Sequence, residues 1–282
     1  MEEGGIGPRI RERIEKIRGD REHGAGFLTL KAISAVELLA EESRARDSEE
    51  FQAELRELRE KLSAIRPTMC SIANAISWLA DSILGRAEGK SVEELKALAR
   101  ACTSYAKEEL KRRSLLACYK AQDLIVSGDS IMTASYSSQV AGTFRRAKDM
   151  GKMFTILALE SLSQGKYYGQ ALALELKKEN IKALLIPDVD IARSIALANK
   201  VLIGTDAILP QGYVINGTPS LCLAKVAQRN HLPFYVVGEM IKMSPHFFEP
   251  DQGFDIIPPS LITWIITDQE IHGEDRDLRP RI

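Results

Sequence analysis

The second half of the sequence alternates between two kinds of segment, and this alternation constrains the fold more than any other feature. From residue 129 onward, short apolar runs rich in β-branched residues recur between stretches with helical periodicity. The predicted strands are 131–133, 154–159, 183–186, 201–203, 234–237 and 261–266, and the predicted helices are 138–149, 167–179, 190–198 and 219–230. Because strands joined through helices pair in parallel, we expect an α/β fold with a Rossmann-like, doubly wound, mainly parallel sheet.

Residues 1–127 carry a different pattern, in which helical periodicity occurs with almost no strand signal. Apolar residues from Phe51 to Ile65 recur at spacings of four, three, four and three, which is typical of an amphipathic helix. Ser91 and Glu94 predict a capping box for a helix that would be about 54 Å long if it ran unbroken to residue 127, which suits a lever or an oligomer surface. We therefore predict an N-terminal all-helical domain, residues 1–127, followed by the Rossmann-like domain, residues 128–282.

The stretch 199–244 lies at the centre of the predicted sheet domain. The strand 201–203 stops at Gly204, so Asp206 follows just beyond its carboxyl end. Residues 216–219 (NGTP) predict an N-cap and an N1 proline for the helix after them, whose N–H groups would face the same edge of the sheet. In open α/β sheets, ligands bind at that edge.

Charge and cysteine usage exclude several classes of protein. The chain has 282 residues with 38 basic and 39 acidic side chains, and its net charge of −1 favours neither nucleic acid nor a membrane as a direct partner. Its four cysteines contain no CxxC pair and its four histidines show no ligand spacing, so we expect no metal site and no disulfide framework. With no apolar run long enough to span a membrane, we expect a cytoplasmic protein, and we expect no cofactor.

Polar residues follow several predicted strands and suggest a ligand. The set comprises Ser135, Glu160, Asp188, Asp206 and Glu239. Carboxylates accept hydrogen bonds from sugar hydroxyls, and helix N-termini bind phosphates, so the pattern suggests a phosphorylated sugar or a nucleotide. Neither GxGxxG after a strand nor GxxxxGK(S/T) occurs, which weighs against a dinucleotide site and a P-loop. Polar residues after strands are equally consistent with loop formers or helix caps, although capping explains Asp206 less well, since a hairpin rather than a helix follows it.

Five groups of motifs are spread in order over most of the chain. They are Gly24-Ala25, Arg66-Pro67-Thr68-Met69 with Asn74-Ala75, the run GDSIMTASYSS at 128–138, Gly204-Thr205-Asp206-Ala207 with Gly212-Tyr213-Val214-Ile215-Asn216, and Pro233-Phe234-Tyr235-Val236-Val237. Together they resemble one family, formed by the α, β and δ regulatory subunits of translation initiation factor 2B with methylthioribose-1-phosphate isomerase and ribose-1,5-bisphosphate isomerase. The resemblance implies a helical domain and a Rossmann-like domain that dimerises, often into hexamers, with a sugar-phosphate pocket between the two parts.

The same resemblance implies roles for individual residues. In the isomerases a cysteine stands at the position of Ser135, and an aspartate matching Asp206 works with it in aldose-to-ketose conversion of a sugar 1-phosphate. This chain keeps the aspartate and lacks the cysteine, and cationic residues of the isomerases are replaced at His23, Leu162 and Gly217. The residues predicted to bind the ligand are Gly24, Ala25, Arg66, Ser135, Tyr136, Glu160, Asp206 and Asn216, with Asp206 and Ser135 as the catalytic candidates.

Two functions from different classes follow, together with a third hypothesis. Residues 135–138 (SYSS) resemble the initiation-factor subunits, which favours a non-catalytic regulatory protein that binds a sugar phosphate or nucleotide and forms a homo-oligomer, a dimer or a hexamer. The resemblance makes the α subunit of initiation factor 2 a candidate protein partner. The alternative is an aldose-ketose isomerase, which the retained Arg66, Asp206 and Asn216 favour. A third hypothesis is an assembly subunit with a vestigial pocket.

Overall fold

A computed structural model of the chain describes the backbone of residues 5–272 and the side chains up to Glu270. The chain divides into two compact units, and the division falls between Arg112 and Arg113. Because these two residues lie within one helix, the division does not coincide with a loop. The domain boundary expected at residues 127 and 128 remains a prediction.

Unit 1 is built from helices, as its sequence periodicity predicts. They are α1 (Pro8–Gly19), α2 (Ala25–Glu42), α3 (Ser48–Ser63), α4 (Cys70–Leu84) and α5 (Val92–Ala121), of which the last continues into unit 2. Asp47 caps α3 by accepting a 2.9 Å hydrogen bond from the N–H of Glu50. Ser91 and Glu94 form the predicted capping box of α5.

Helix α5 is shorter than its sequence predicts. It ends at Ala121, and a 3₁₀ turn, Gln122–Leu124, follows it. A side chain beyond the helix contributes to this end, because the N–H of Val126 donates to the carboxylate of Asp129 at 2.7 Å instead of to a helical carbonyl.

The apolar faces of the amphipathic helices form the core of unit 1. Ile10, Ile14 and Ile17 of α1 are buried, as are the four apolar residues of α3 between Phe51 and Leu62. Each fully buried side chain of this size contributes about 1.5–3 kcal/mol. The predicted apolar stripes are therefore the core-facing sides of these helices.

Unit 2 contains the predicted sheet. Its strands are β1 (Ser130–Thr133), β2 (Thr155–Leu159), β3 (Leu162–Ser163), β4 (Lys166–Tyr167), β5 (Ala183–Ile186), β6 (Lys200–Ile203), β7 (Ala207–Ile208), β8 (Val214–Gly217), β9 (Phe234–Val237), β10 (Phe254–Ile257), β11 (Trp264–Ile266) and β12 (Ile271–His272). Seven of them form one sheet in the order β12-β11-β9-β6-β1-β2-β5. Neighbours are parallel except β11 and β12. The doubly wound, mainly parallel sheet is confirmed.

The direction of winding reverses between β1 and β6, which are neighbours in the sheet. From β1 the chain adds β2 and β5 on one side and then returns to add β6, β9 and β11 on the other. At such a reversal the loops that leave the two adjacent strands turn to opposite faces and open a crevice at the carboxyl edge. The crevice is where a ligand is expected.

Helices cover both faces of this sheet. They are α6 (Ser138–Asp149), α7 (Tyr168–Lys178), α8 (Ile191–Ser194) and α9 (Ser220–Arg229). Met132 packs with α8 and α9 in one core, and its neighbour Ile131 packs with α6 and α7 in the other, as the two-residue period of a strand requires. The helix predicted at 190–198 is mostly absent, because i→i−3 hydrogen bonds make 3₁₀ turns on both sides of α8.

A smaller antiparallel sheet, formed by β7, β8 and β10, accompanies the main one. The sequence does not predict β10, since its four residues carry no alternating pattern. β3 and β4 form a separate short hairpin. Within residues 5–272 there is no helix with the length and apolar character that a membrane span requires.

Asp129 fixes the amino edge of the main sheet. Its buried carboxylate accepts a hydrogen bond from Asn199 Nδ2 at 3.0 Å and pairs with Lys200 Nζ at 2.7 Å. Lys200 Nζ also donates to the carbonyl of Leu124 at 2.7 Å. Each charge is thus compensated, and the cluster at this edge is structural.

Candidate functional site

The topology places three of the predicted site residues at the carboxyl edge of the sheet. β1 leads into Ser135, the neighbouring β6 leads into Asp206, and β2, on the other side of β1, leads into Glu160. The first two lie where the winding reverses. The candidate site is therefore built from the loops that follow adjacent parallel strands.

Ser135 and Ser161 share an unusual backbone conformation. Ser135 has φ 64° and Ser161 has φ 53°, in the left-handed region that L-residues with a Cβ rarely adopt. The N–H of Ser135 donates to Ser161 Oγ at 2.7 Å, so the two loops hold each other in place. Such conformations persist when the surroundings enforce them, and they concentrate at ligand sites.

The side chain of Ser135 lies against Gly217 at the end of β8. A Cβ atom at Gly217 would lie 2.6 Å from Ser135 Oγ and 3.2 Å from Ser135 Cβ, so only glycine fits beside this serine as it stands. A Cβ atom at Gly204 would overlap the Ser137 hydroxyl. The loops after β1, β6 and β8 therefore approach one another closely at two glycines.

Asp206 is held by the hairpin that follows it. Its N–H donates to the carbonyl of Ile215 at 2.8 Å. The buried Thr205 hydroxyl lies 2.7 Å from the carbonyl of Ala207 and 3.0 Å from that of Ile215. The Asp206 side chain is half-buried. Its backbone is fixed, which suits a group that must present a carboxylate in one position.

Asn216 lies in β8 and is buried. Its Nδ2 donates to Ser220 Oγ at 2.8 Å, and that hydroxyl donates to the carbonyl of Gly217 at 2.6 Å. The amide thereby links β8 to the first turn of α9. Its predicted ligand role remains a prediction.

The predicted cap of α9 at residues 216–219 is wrong. Asn216 and Gly217 belong to β8, and Pro219 is the N-cap, without a side-chain hydrogen bond. Instead Asp255, at the start of β10, accepts from the N–H of Leu221 at 3.0 Å and from the Thr218 hydroxyl at 3.1 Å. A carboxylate therefore already occupies the helix N-terminus that the sequence offers to a phosphate, and it would repel one.

Asp188 and Glu160 differ in what they contact. The Asp188 carboxylate accepts from the N–H groups of Ser161 and Leu162, both at 2.8 Å, so it stabilises the turn after β2. The Glu160 carboxylate is half-buried and makes no hydrogen bond or ion pair with a residue in the described part of the chain. Glu160 is thus the carboxylate of this pair that retains its capacity to accept from a ligand.

The Tyr136 hydroxyl donates to Glu175 of α7 at 2.8 Å. Burial, reinforced by that hydrogen bond, raises the pKa of Tyr136 to about 12. Glu175 also pairs with Arg145 of α6. The Tyr136 hydroxyl therefore links the loop after β1 to α7 and, through Glu175, to α6. The predicted ligand role of Tyr136 remains a prediction.

Glu239, which follows β9, belongs to a buried polar cluster. Gln139 Nε2 donates to Glu239 Oε1, and Lys242 Nζ lies 3.1 Å from both Glu239 Oε2 and Gln139 Oε1. All three residues are buried. The sequence identifies Glu239 but not its partners, although the three-residue spacing to Lys242 is a usable signal for an ion pair. The charges compensate each other, and the cluster is structural.

The remaining predicted residues lie in unit 1. Gly24 is the N-cap of α2 and has no side chain to cap it, and Ala25 is its buried first residue. The buried Arg66 donates from Nη1 to the carbonyl of Asp20, whose carboxylate pairs with His23 Nδ1 at 2.8 Å. Burial acts to raise the pKa of Asp20, but hydrogen bonds from the N–H groups of His23 and Glu22 hold it below its usual value.

The unit 2 site combines a hydroxyl, carboxylates and a buried amide. These groups suit a ligand rich in hydroxyls, since they accept and donate hydrogen bonds without a strong net positive charge. The N-terminus of α6 lies behind Ser135, and Ser137 caps it weakly by accepting from the N–H of Val140 at 3.4 Å. No cluster of His, Cys, Asp or Glu within residues 5–270 has the arrangement of a metal site.

Known proteins resemble this chain over nearly its full length. A translation initiation factor eIF-2B subunit 2-like protein from Pyrococcus horikoshii is 31% identical over 96% of this chain and 99% of its own length. Ribose 1,5-bisphosphate isomerase from Thermococcus kodakarensis is 24% identical over 93% of this chain and 90% of its own. The crystal structure of a Pyrococcus horikoshii OT3 translation initiation factor eIF-2B covers 97% of this chain and 100% of its own, with 27% identity and a TM-score of 0.84.

The pattern of one family fits most of the chain, including all the residues predicted for the site. The family model of the initiation factor 2 subunits matches residues 21–252. This family contains both initiation-factor-like proteins and sugar-phosphate isomerases. The chain belongs to the initiation factor 2 subunit family.

Proposed function

We propose that this protein is an initiation-factor-2B-like regulatory protein that binds a phosphorylated sugar or a nucleotide and does not isomerise it. The ligand hydroxyls would contact Glu160 and Asp206 at the carboxyl edge of the unit 2 sheet, and its phosphate would lie at the N-terminus of α6. The reversal of winding between β1 and β6 supports binding at this place.

The setting of Ser135 carries this proposal. Its hydroxyl faces Gly217 and makes no hydrogen bond with a carboxylate, imidazole or amine of residues 5–270. A serine hydroxyl exchanges a proton near neutral pH only when an adjacent base activates it. Aldose-ketose conversion moves protons between carbon and oxygen atoms, so it needs groups that titrate near the working pH. Ser135 suits binding better than acid–base catalysis.

The buried Cys118 does not replace the cysteine that the isomerases carry. Burial raises the pKa of its thiol to about 11, and the thiol donates to the carbonyl of Gln139 at 3.3 Å. A thiol with this pKa stays protonated at neutral pH and is a poor nucleophile and base.

An aldose-ketose isomerase remains a second candidate because Asp206 is retained where the strand beside β1 ends. Its backbone is fixed by the β7–β8 hairpin, and its carboxylate is half-buried. In that function Asp206 would move one proton, and Ser135 or a group on the substrate would have to move the other. Ribose 1,5-bisphosphate and methylthioribose 1-phosphate are the substrates to test.

A thermal-shift screen with sugar phosphates and nucleotides tests the binding proposal. At a hundredfold excess over its Kd, a ligand stabilises the folded chain by about 2.7 kcal/mol, which gives a clear rise in Tm. Asp206→Asn should lose most of this rise. Asp123→Asn, an exposed aspartate in the turn after α5, is the matched control and should keep it. If no ligand raises the Tm of the wild type, the pocket is vestigial.

We also propose that the protein is a homo-oligomer that assembles through unit 2. β5 is an edge strand of the main sheet, and Leu184 and Leu185 on it are exposed. An edge strand with exposed apolar side chains is protected in solution by a partner. Light scattering measures the mass, and a strict monomer at micromolar concentration would contradict this part. The α subunit of initiation factor 2 is the protein partner to test by pull-down.

A further inference from the structure

The longest helix, α5, carries an exposed stripe that neither the ligand site nor the sheet accounts for. Its members recur at spacings of four, three, four, three and four residues. They are Ala101, Tyr105, Glu108, Arg112, Leu115 and Tyr119, and we call this set the α5 seam. The spacing is that of the a and d positions in a coiled coil.

The side chains of the α5 seam face solvent. Tyr105, Leu115 and Tyr119 are 58%, 57% and 54% exposed, and the other three members are exposed as well. Large apolar side chains in one line on a helix are unusual on a free surface, since such a line is normally covered. The seam runs from Ala101 to Tyr119 and, at about 1.5 Å per residue, is about 27 Å long.

We propose that the α5 seam pairs with the same seam of a second copy of the chain, in antiparallel orientation about a two-fold axis. The spacing is symmetric about residue 110, so antiparallel pairing brings each member opposite another member. Tyr105 then faces Leu115 of the second copy, and Ala101 faces Tyr119. The one small member of the seam thus meets a large one, and each a position meets a d position, as in antiparallel coiled coils.

Charge complementarity selects a second copy as the occupant. The same pairing places Glu108 opposite Arg112 of the other copy, twice, at the centre of the interface. Glu108 has no hydrogen bond or ion pair with any residue of the described chain, while Arg112 contacts Glu109 of its own helix at 2.7 Å. Two identical seams are thus complementary in charge, and the central ion pairs fix the register.

Aromatic and cationic side chains flank both ends of the seam. The ring of Trp78, which is exposed on α4, lies 6.0 Å from that of Tyr105. Arg146 of α6 lies 5.3 Å from the ring centre of Tyr119. Trp, Tyr and Arg are the residues that anchor protein interfaces most often. Trp78 thus accompanies Tyr105, and Arg146 accompanies Tyr119.

This interface lies on a different element from the β5 edge and adds to the proposed oligomer. It does not rest on ligand binding. Because a two-fold contact is isologous, each copy uses the same surface once and the contact closes on itself.

Charge exchange at the centre of the seam tests the proposal. Glu108→Arg places four positive charges at the centre of the paired helices, and Arg112→Glu places four negative ones. Each single variant should therefore lose half of the mass that the wild type has by light scattering. The double variant E108R/R112E restores opposite charges, and so does a one-to-one mixture of the two single variants. Both should regain the wild-type mass.

The controls separate the interface from folding and from the ligand site. Glu60→Arg on α3 makes the same change of charge at an exposed position away from the seam and should keep the wild-type mass. Helical circular dichroism should be unchanged in every variant, since Glu and Arg are both good helix formers. The thermal shift with ligand should also be unchanged, so a failure of the binding proposal would be seen separately.

A monomeric wild type would overturn the proposal. Wild-type mass in both single variants would overturn it as well. So would folded single variants of reduced mass, if the double variant and the mixture also stay at that reduced mass.

Discussion

Ser135 illustrates how single residues shape the candidate site. Its positive φ directs the side chain at Gly217, and its N–H is held by Ser161, a second residue with positive φ. Left-handed backbone at a residue with a Cβ is unfavourable by about 1–3 kcal/mol, so two such residues in contact indicate that the surrounding structure enforces the geometry. The geometry thus holds the Ser135 hydroxyl in one position beside Gly217.

The contact between Ser135 and Gly217 yields a double-mutant prediction. Gly217→Ala should destabilise the fold by about 1–3 kcal/mol, because the new methyl group would lie 2.6 Å from Ser135 Oγ. Ser135→Ala removes that oxygen, so in the Gly217→Ala background it should recover part of the loss. Urea unfolding of the four proteins measures the coupling, which we expect at about 0.5–3 kcal/mol. Additive effects would show that the two side chains do not meet.

Tyr136 predicts a dependence of stability on alkaline pH. Its pKa is raised from 10.0 to about 12 in the folded chain, so its contribution to stability is fully present below about pH 10 and is lost as the pH rises toward 12. Tyr136→Phe should lower stability at neutral pH by about 1 kcal/mol and make the decline between pH 10 and 12 shallower. Tyr167→Phe removes the same hydroxyl at an exposed position, and this control should leave stability at neutral pH unchanged.

At the scale of elements, the closest packing near the site joins α7 to the end of β2. Gly169, in the first turn of α7, donates its N–H to the carbonyl of Glu160 at 3.0 Å. A Cβ atom at this position would overlap the carbonyl oxygen of Leu159. The glycine thus lets the helix start directly against the strand that leads to Glu160.

Gly169→Ala should therefore be strongly destabilising, by about 3 kcal/mol or more, because backbone must move to admit the methyl group. Gly19→Ala is the matched control, since Gly19 is also helical and nothing lies within 4 Å of its Cβ position. We expect it to change stability by about 1 kcal/mol or less. Thermal or urea unfolding compares the two. Equal effects would mean that α7 can shift away from β2 without loss.

The elements that could be predicted from sequence are those whose signal is local. The apolar stripe of α3 and the strand–helix alternation of unit 2 both follow from periodicity, and α6 has the predicted bounds, Ser138–Asp149. The cap of α9 could not be predicted, because it comes from Asp255, thirty-four residues away from Leu221 along the chain. The end of α5 likewise depends on a side chain beyond the helix, Asp129.

The candidate site shows the same limit. The edge position of Ser135, Glu160 and Asp206 follows from strand ends that the sequence marks with glycines and polar residues. The sequence does not predict which carboxylate can still accept hydrogen bonds from a ligand. Asp188 and Glu160 both follow predicted strands, but in the described part of the structure backbone N–H groups donate to Asp188 and not to Glu160. Hydrogen-bond donors that lie far away along the chain determine whether each carboxylate stabilises a turn or can bind a ligand.

Across the full chain, we propose one ligand site and two surfaces for assembly. The site lies at the carboxyl edge of the unit 2 sheet, and the proposed surfaces are the β5 edge and the α5 seam. Family membership is compatible with regulation and with isomerisation, so the chemistry at Ser135 distinguishes them. We propose that the site binds a phosphorylated ligand without converting it.

Proton NMR of ribose 1,5-bisphosphate with the protein, followed over time, measures binding and conversion together. Saturation transferred from protein to sugar protons reports binding, and the sugar resonances report conversion in the same sample. We predict saturation transfer from the wild type, a loss of it in Asp206→Asn, and an aldose spectrum that stays unchanged. Appearance of the ketose at about 1 per second, a rate typical of working enzymes, would rule out a non-catalytic protein and identify an isomerase.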